Sequence, residues 1–297
     1  MVSTELRALV WVLVFAIIGY ATVFAAADAT VYEQIRASRS RSWSFFSSLP
    51  GATRSVVRDN YALVTPESHV YADLPGWPRI AAACLISPAM GSHFSMYLAF
   101  SSSEVEVKGC GSLQDVERFI YVIEGEVVGP NDKRLQPGGF AYIPAGESDA
   151  IFSIKESSVF LVYDRQYQSM AGEGVPPLIV DHQDNIQVEV PDGEVFRLRR
   201  LLPMSKSFDF NIHVMDFDPG EFLNVKEVHY NQHGLLLLTG MGVYRLGDDY
   251  IPVTAGDAIY MAPFVPQWFG ALGKEISRYI IYKDTNRNPL FPSATCV

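Results

Sequence analysis

Short apolar runs separated by glycine and proline fill the chain from residue 61 onward, and helical periodicity is scarce there. Runs of this kind, bounded by turn residues, predict β-strands. The first five lie at residues 81–86, 94–100, 118–123, 140–143 and 159–163, and the next five at 211–217, 235–238, 242–246, 258–261 and 279–282. The pattern is that of an all-β protein.

The two sets of predicted strands follow the same order, which indicates an internal duplication. Residues 119–125 match residues 234–240, since each run is an apolar strand that ends in a turn glycine. Two antiparallel double-sheet barrels of the jelly-roll type account for this repeat. The predicted divisions are a lead-in segment at 28–60, a first barrel at 61–165, a linker at 166–195, a second barrel at 196–290 and a tail at 291–297.

Side chains that can bind a metal cluster in the second half, at Glu227, His229 and His233. On a β-strand, side chains two positions apart share a face, so Glu227 and His229 are expected to point the same way, with His233 after a short turn. One carboxylate and two imidazoles suit a divalent first-row metal, and Gln267 is placed to supply a fourth donor. The spacing therefore predicts a metal site in the second barrel.

This ligand cluster, with a glycine seven residues after its third member and a later proline–glutamine pair, resembles the two motifs of the cupin family. That family usually has two histidines and a glutamate in the first motif and a histidine in the second. This chain departs from the pattern, because Glu227 replaces the first histidine, His233 replaces the glutamate and Gln267 replaces the last histidine.

The stretches around these residues resemble one cupin family in more detail. GEFLNVKEVHYNQHGLLLL at 220–238, MAPFVPQW at 261–268 and YKDTNRNP at 282–289 closely resemble the plant (S)-ureidoglycine aminohydrolases. The resemblance covers both halves but not the first sixty residues. It implies two tandem cupin barrels and the hydrolytic deamination of (S)-ureidoglycine to (S)-ureidoglycolate and ammonia, in purine catabolism through allantoin.

The same resemblance implies roles for individual residues. It implies Mn²⁺ bound by Glu227, His229, His233 and Gln267, catalysis by Glu227 and Lys283, and substrate contacts from Glu227, Gln267, Tyr244, Tyr279 and Lys283. Tyr279 and Lys283 share a strand face because they are an even number of positions apart. A lysine that points into a barrel needs an anion, which a substrate carboxylate would supply.

Two other functions fit parts of the pattern. A germin-like cupin metal oxidase fits the secretory signal described below, but it would carry the histidine-rich ligand set that this chain lacks. A non-enzymatic bicupin storage or binding protein fits the size and the duplication, but it gives no reason for a complete ligand set in one half.

The first half has lost the corresponding site. Alignment on the strand glycines places Ser112, Gln114 and Arg118 at the positions of the three clustered ligands, and Asp149 near the position of the fourth. A permanent cation at Arg118 would repel a divalent metal. We expect this arginine to form a salt bridge or hydrogen bond that fills the old site.

Composition and charge restrict the partners. With 48% apolar residues and a net charge of -10, the chain forms a large core and has no long basic run for a nucleic acid. We expect a small-molecule partner, a ureide on the resemblance, and no membrane contact in the mature form. An exposed barrel edge also favours self-association into a homo-oligomer.

The N-terminus is typical of a targeting segment. Arg7 precedes an apolar run at residues 8–27 that ends in small residues, which predicts a signal peptide at 1–27 and the secretory pathway or endoplasmic reticulum as the location. The run is nearly long enough to span a bilayer, so an uncleaved anchor is the alternative. Three cysteines cannot form a full disulfide framework, and the sequence favours free thiols at Cys84 and Cys110 without excluding a bridge.

Overall fold

The computed structural model describes residues 53–287, which form β-strands and four single-turn 3₁₀ helices, with no α-helix in this range. The 3₁₀ helices are Pro66–Ser68, Pro88–Met90, Pro130–Asp132 and Gln183–Asn185. The predicted signal peptide at 1–27, most of the lead-in segment and the tail at 291–297 lie outside the described residues. Between residues 53 and 287, no helix has the length and hydropathy needed to cross a membrane.

Thirteen strands precede residue 183: β1 (Val56–Val57), β2 (Tyr61–Val64), β3 (Tyr71–Leu74), β4 (Trp77–Ile86), β5 (Phe94–Phe100), β6 (Val105–Lys108), β7 (Val116–Glu124), β8 (Val127–Val128), β9 (Arg134–Leu135), β10 (Gly139–Ile143), β11 (Ile151–Ile154), β12 (Val159–Gln166) and β13 (Ile179–His182). The strands after it are β14 (Arg197–Arg200), β15 (Phe210–Phe217), β16 (His233–Thr239), β17 (Met241–Leu246), β18 (Asp249–Thr254), β19 (Ala258–Met261), β20 (Gln267–Leu272) and β21 (Ser277–Asp284).

Each half of the chain contributes one large and one small antiparallel sheet. The first large sheet has the strand order β13-β10-β7-β12-β5-β4-β3 and the second has the order β1-β2-β19-β16-β21-β15-β14. The small sheets are β6-β11-β8-β9 and β18-β17-β20. All ten strands predicted from the sequence are confirmed, and the described residues have the all-β, double-sheet organisation that the apolar pattern indicated.

Three apolar cores hold these sheets together. The two large sheets share one core, in which the rings of Phe94 and Tyr282 stack with centroids 3.9 Å apart. The other face of each large sheet packs against its small sheet in a separate core. Side chains of β21 alternate between two of these cores. Ile280 and Tyr282 enter the core shared by the large sheets, while Tyr279 and Ile281 enter the interior of the second barrel. The pocket-facing side chains of β21 are thus fixed by its register.

Two segments pair with strands outside the unit to which the sequence assigned them. The predicted boundaries of the barrels and the linker themselves stay a prediction. Tyr61–Val64, assigned from the sequence to the first barrel, pairs with Ala258–Met261 in the second large sheet. Ile179–His182, inside the predicted linker, pairs with Gly139–Ile143 and extends the first large sheet. Both segments satisfy backbone groups that an open sheet edge would leave unpaired.

The segment before β2 is tied to the second half by polar contacts as well. The guanidinium of Arg54 donates to both carboxylate oxygens of Asp257, at 2.9 and 2.7 Å, and that aspartate side chain is fully buried. The phenol of Tyr61 donates to Asp249, and the backbone N–H of Ala262 donates to the carbonyl of Asn60 at 2.9 Å. The lead-in to the first half is therefore part of the second half.

Two of the three cysteines lie in the described residues. Cys84 is exposed and Cys110 is buried, and neither forms a disulfide. The expectation of free thiols at these positions is confirmed, while Cys296 lies outside the described residues.

Candidate functional site

The segment that carries the predicted ligands is an irregular turn. Glu227 forms a single antiparallel bridge with Gln267, through backbone hydrogen bonds of 2.9 and 3.0 Å, and residues 228–232 are not in a strand. His233 is the first residue of β16. The prediction that Glu227 and His229 lie together on a β-strand is therefore wrong, and the bridge alone aligns the segment with β20.

Side chains within the turn explain why it leaves the sheet. The amide of Asn231 donates to the carbonyl of Asp284 at 2.5 Å. The amide oxygen of Gln232 accepts from the backbone N–H of His93 at 2.9 Å, and its nitrogen donates to the carbonyl of Gly91 at 3.2 Å. Such side-chain bonds to the backbone compete with ladder pairing. They anchor the ligand turn to both halves of the molecule.

The turn nevertheless brings the four predicted ligands together at one end of the second barrel. The Nε2 atoms of His229 and His233 are 3.3 Å apart, and the Gln267 amide lies 2.9 Å from His229 Nε2. The nearer carboxylate oxygen of Glu227 is 3.9 Å from that same atom, and its side chain is 38% exposed. Within residues 53–287, no three His, Cys, Asp or Glu side chains form a preassembled metal cluster. The groups in closest contact are the two imidazoles and the Gln267 amide.

The hydrogen bonding of these side chains fits a metal. His233 Nδ1 donates to the carbonyl of Tyr282 at 3.0 Å, so its Nε2 carries the lone pair and faces the Nε2 of His229. The buried Oε1 of Gln267 has no partner, and exchanging the two amide atoms would turn it toward the imidazoles. Two donors at right angles around an ion with bonds of about 2.1 Å lie about 3 Å apart, close to the observed spacing. The donors suit a divalent cation.

Burial controls the protonation of the ligands. Burial lowers the pKa of His233 well below its ordinary value, and the neighbouring His229 and Lys283 act in the same direction. Burial and Lys283 also lower the pKa of His229. Burial raises the pKa of Glu227, as does the like charge of Glu194, while the ammonium of Lys283 opposes that shift. Neutral imidazoles are the form that binds metals.

The three predicted substrate contacts line the barrel beside these donors. Strand register places Lys283 opposite His233 and Tyr279 opposite Leu237, so both project from the inner face of β21. Tyr244 reaches the same space from β17, and its ring centroid lies 6.5 Å from that of Tyr279. Both tyrosines are almost fully buried. Tyr279 and Lys283 therefore share one face of β21, as their spacing in the sequence predicted.

Lys283 carries a charge that no carboxylate in the described part of the chain contacts directly, although Glu227 acts on it at longer range. Among residues 53–287, its ammonium group forms no ion pair and no hydrogen bond. Burial lowers the pKa of Lys283 and the cation of Arg200 adds to the effect, whereas Glu227 raises it. A half-buried cation without a partner is costly, so this position favours an anionic ligand.

In the described part of the first half, the four counterparts of the predicted ligands form no metal cluster. Arg118 is fully buried, donates through Nε and Nη2 to the two carboxylate oxygens of Asp164 at 2.7 Å each, and lies over the ring of Trp77. Ser112, Gln114 and Asp149 are exposed. The predicted salt bridge of Arg118 is present, and it occupies the interior of the first barrel.

Known proteins with similar sequences match most of this chain. The chain is 54% identical to the (S)-ureidoglycine aminohydrolase of Arabidopsis thaliana over 251 residues, which are 83% of each chain. It is 51% identical to a probable (S)-ureidoglycine aminohydrolase of Oryza sativa subsp. japonica, covering 82% of this chain and 78% of that protein. The enzyme of that name from Escherichia coli K12 is 32% identical, with 80% of this chain and 93% of that protein covered.

The chain belongs to the (S)-ureidoglycine aminohydrolase family. Among solved structures, protein Ylba from E. coli is 31% identical with a TM-score of 0.68, covering 80% of this chain and 96% of that one. The structure named Putative Glyoxylate Induced Protein from Pseudomonas aeruginosa is 26% identical with a TM-score of 0.72, covering 82% of this chain and 94% of that one. No protein-family model matches the chain. The predicted family and the all-β, double-sheet fold class are confirmed.

This member of the (S)-ureidoglycine aminohydrolase family has further pocket-facing residues that the sequence analysis missed. Asn211 lies opposite Lys283 and His213 lies opposite Ile281 in the β15–β21 pairing. The predicted strand at 211–217 contained the signal, because these residues have the parity of the barrel interior. Asn211 is structural, since its amide donates to the carbonyl of Leu202 at 2.8 Å.

Proposed function

We propose that this protein hydrolyses (S)-ureidoglycine, replacing its amino group with the oxygen of water and releasing ammonia and (S)-ureidoglycolate. The observation that carries the proposal is the position of Lys283. Its unpaired ammonium projects from the same barrel face as His233, beside the converging donors, and it can bind the substrate carboxylate. The reaction is a step in the recovery of purine nitrogen from allantoin.

The cofactor in this proposal is Mn²⁺, held by Glu227, His229, His233 and Gln267. Oxygen donors from a carboxylate and an amide, with two imidazole nitrogens, form a harder set than the thiolates of structural zinc sites, which supports manganese. When bound, such a divalent ion would orient the amine and carboxylate of the substrate and provide positive charge at the reacting carbon.

The side chains of the pocket have separate tasks in this proposal. Lys283 holds the carboxylate, while Tyr279 and Tyr244, whose ring centroids are 6.5 Å apart, approach the ureido end. Glu227 lies at the solvent side, and its raised pKa suits a carboxylate that accepts a proton from water and returns it to the leaving amine. Contacts at three different groups of a chiral carbon select one enantiomer.

Freshly generated (S)-ureidoglycine distinguishes this function from its alternatives. The purified, manganese-reconstituted protein is expected to release ammonia faster than the spontaneous background, with no uptake of dioxygen. Dioxygen uptake without ammonia would instead support a germin-like oxidase. If the protein neither releases ammonia nor takes up dioxygen, the result would support a non-enzymatic storage or binding protein and would exclude the proposed activity.

We also propose that residues 1–27 direct the chain into the secretory pathway, as their composition indicates. The mature protein should then begin near Asp28, and N-terminal sequencing that finds Met1 on cytosolic protein would exclude this targeting. Self-association through the exposed edge strand β3 is proposed as well, since Glu189 already pairs with Leu198 at the edge of β14. Light scattering that gives the mass of a single chain would exclude it.

A further inference from the structure

His213 lies midway between the two residues proposed to hold the ends of the substrate. It pairs directly with Ile281, and Lys283 and Tyr279 are two positions on either side of that residue. Diagonal neighbours across an antiparallel pair are about 7–8 Å apart between Cα atoms, which is within reach of long side chains. The His213 ring therefore lies beside both substrate contacts of β21.

The packing of β15 establishes which way His213 points. Ile212 and Val214 belong to the core between the two large sheets, whereas Met215 and Phe217 belong to the core inside the second barrel. Successive side chains of a strand alternate between its two faces. His213 consequently projects into the barrel interior, on the same side as the predicted metal ligands.

The imidazole of His213 is enclosed but unsatisfied. Its Nε2 atom is buried and has no hydrogen-bond partner among the described residues. Burial lowers the pKa of His213 to about 3, and the nearby cations of Lys283 and Arg200 contribute to that shift. The neutral ring has one nitrogen that donates a hydrogen bond and one that accepts. A buried polar atom without a partner in a ligand pocket indicates a contact that a ligand completes.

We infer that His213 recognises the ureido group of the substrate by accepting a hydrogen bond from its terminal NH₂; this inference rests on the proposed function. With the carboxylate at Lys283 and the ureido end toward Tyr279, that NH₂ group needs an acceptor. Lys283 and Arg200 have only donors, whereas a neutral histidine ring has one accepting nitrogen, and Nε2 of His213 has no partner among the described residues. His213 supplies the acceptor at the required position.

Two stable ligands test this contact without turnover. N-carbamoylglycine has the carboxylate and the ureido group, and N-acetylglycine has a methyl group in place of the terminal NH₂. Calorimetry on the full-length, manganese-reconstituted protein would give the dissociation constant of each ligand. The wild type is expected to bind N-carbamoylglycine at least about tenfold more tightly, because a site that pairs with an N–H group rejects the analogue that lacks it.

The His213→Leu variant should reduce this preference to about twofold or less, while His213→Asn, whose amide oxygen can accept, should retain part of it. His69→Leu is the matched control, since His69 is also buried with unpartnered ring nitrogens but lies outside the second barrel. The control should keep the wild-type ratio. Metal content is measured for each variant. If His213→Leu loses metal, the ratio of the two dissociation constants is measured instead in His213→Phe with metal bound.

Equal binding of the two ligands by the wild type, or an unchanged ratio in His213→Leu, would overturn the inference. If His213→Leu loses the preference for N-carbamoylglycine while the wild type releases no ammonia from (S)-ureidoglycine, the result would support ureido recognition and refute the proposed reaction. If the wild type releases ammonia but His213→Leu keeps the preference, the result would support the reaction and refute the role of His213.

Discussion

The double substitution His229→Ala and His233→Ala is expected to remove the bound metal and to lower ammonia release at least about a thousandfold. The Nε2 atoms of these residues are 3.3 Å apart, and they are the two nitrogen donors of the proposed ligand set. Loss of both nitrogen ligands leaves one carboxylate and one amide, which do not hold a divalent ion tightly. Elemental analysis and an ammonia assay on the same preparation measure the two effects.

The matched control is Gln114→Ala, at the counterpart of His229 in the first half. Gln114 is exposed, and the interior of that half is filled by the ion pair of Arg118 and Asp164. This variant should keep one metal per chain and full activity. Two metals per chain in the wild type, or one metal retained in the double variant, would contradict a single site in the second barrel.

The substitution Lys283→Met is expected to lower kcat/KM for (S)-ureidoglycine by on the order of a hundredfold while metal content stays at one per chain. A charge-assisted contact in a largely desolvated pocket is worth about 3 kcal/mol, which corresponds to this factor. Methionine keeps much of the apolar stem of the lysine, so the change removes mainly the ammonium group. Steady-state kinetics with elemental analysis measure both quantities.

Lys274→Met is the control for this experiment. Lys274 is exposed in the turn before β21, and its substitution removes the same charge from the chain. It should leave kcat/KM unchanged within about twofold, since isolated surface charges contribute little. A Lys283→Met enzyme with normal kinetics would mean that the ammonium group does not contact the substrate.

The strands were predictable because their signal is local. Alternation and turn glycines place residues 94–100 and 258–261 with the bounds observed for β5 and β19. The same parity correctly placed Tyr279 and Lys283 on one face. Where a side chain points along a strand follows from sequence spacing alone, so this part of the pocket required no knowledge of tertiary contacts.

The ligand turn could not be predicted in the same way. Its path depends on hydrogen bonds from Asn231 and Gln232 to backbone groups of distant residues, including His93 in the first half. The pairing of Tyr61–Val64 with Ala258–Met261 is likewise decided by which sheet edge lies nearby in space. Long-range contacts of this kind have no periodic trace in the sequence.

The pairing of β2 with β19 has a consequence for synthesis of the chain on the ribosome. Arg54 and its partner Asp257 are 203 positions apart, so the early segment emerges long before the residues it joins. At about 5–20 residues per second, translation of that interval takes about 10–40 s. During that time the first barrel can close, but β1 and β2, which pair with each other, lack β19. The open edge of β2 is then exposed to chaperones and to other nascent chains. The second large sheet is therefore completed only after β19 has emerged, and the second half of the chain alone lacks two of the strands of that sheet.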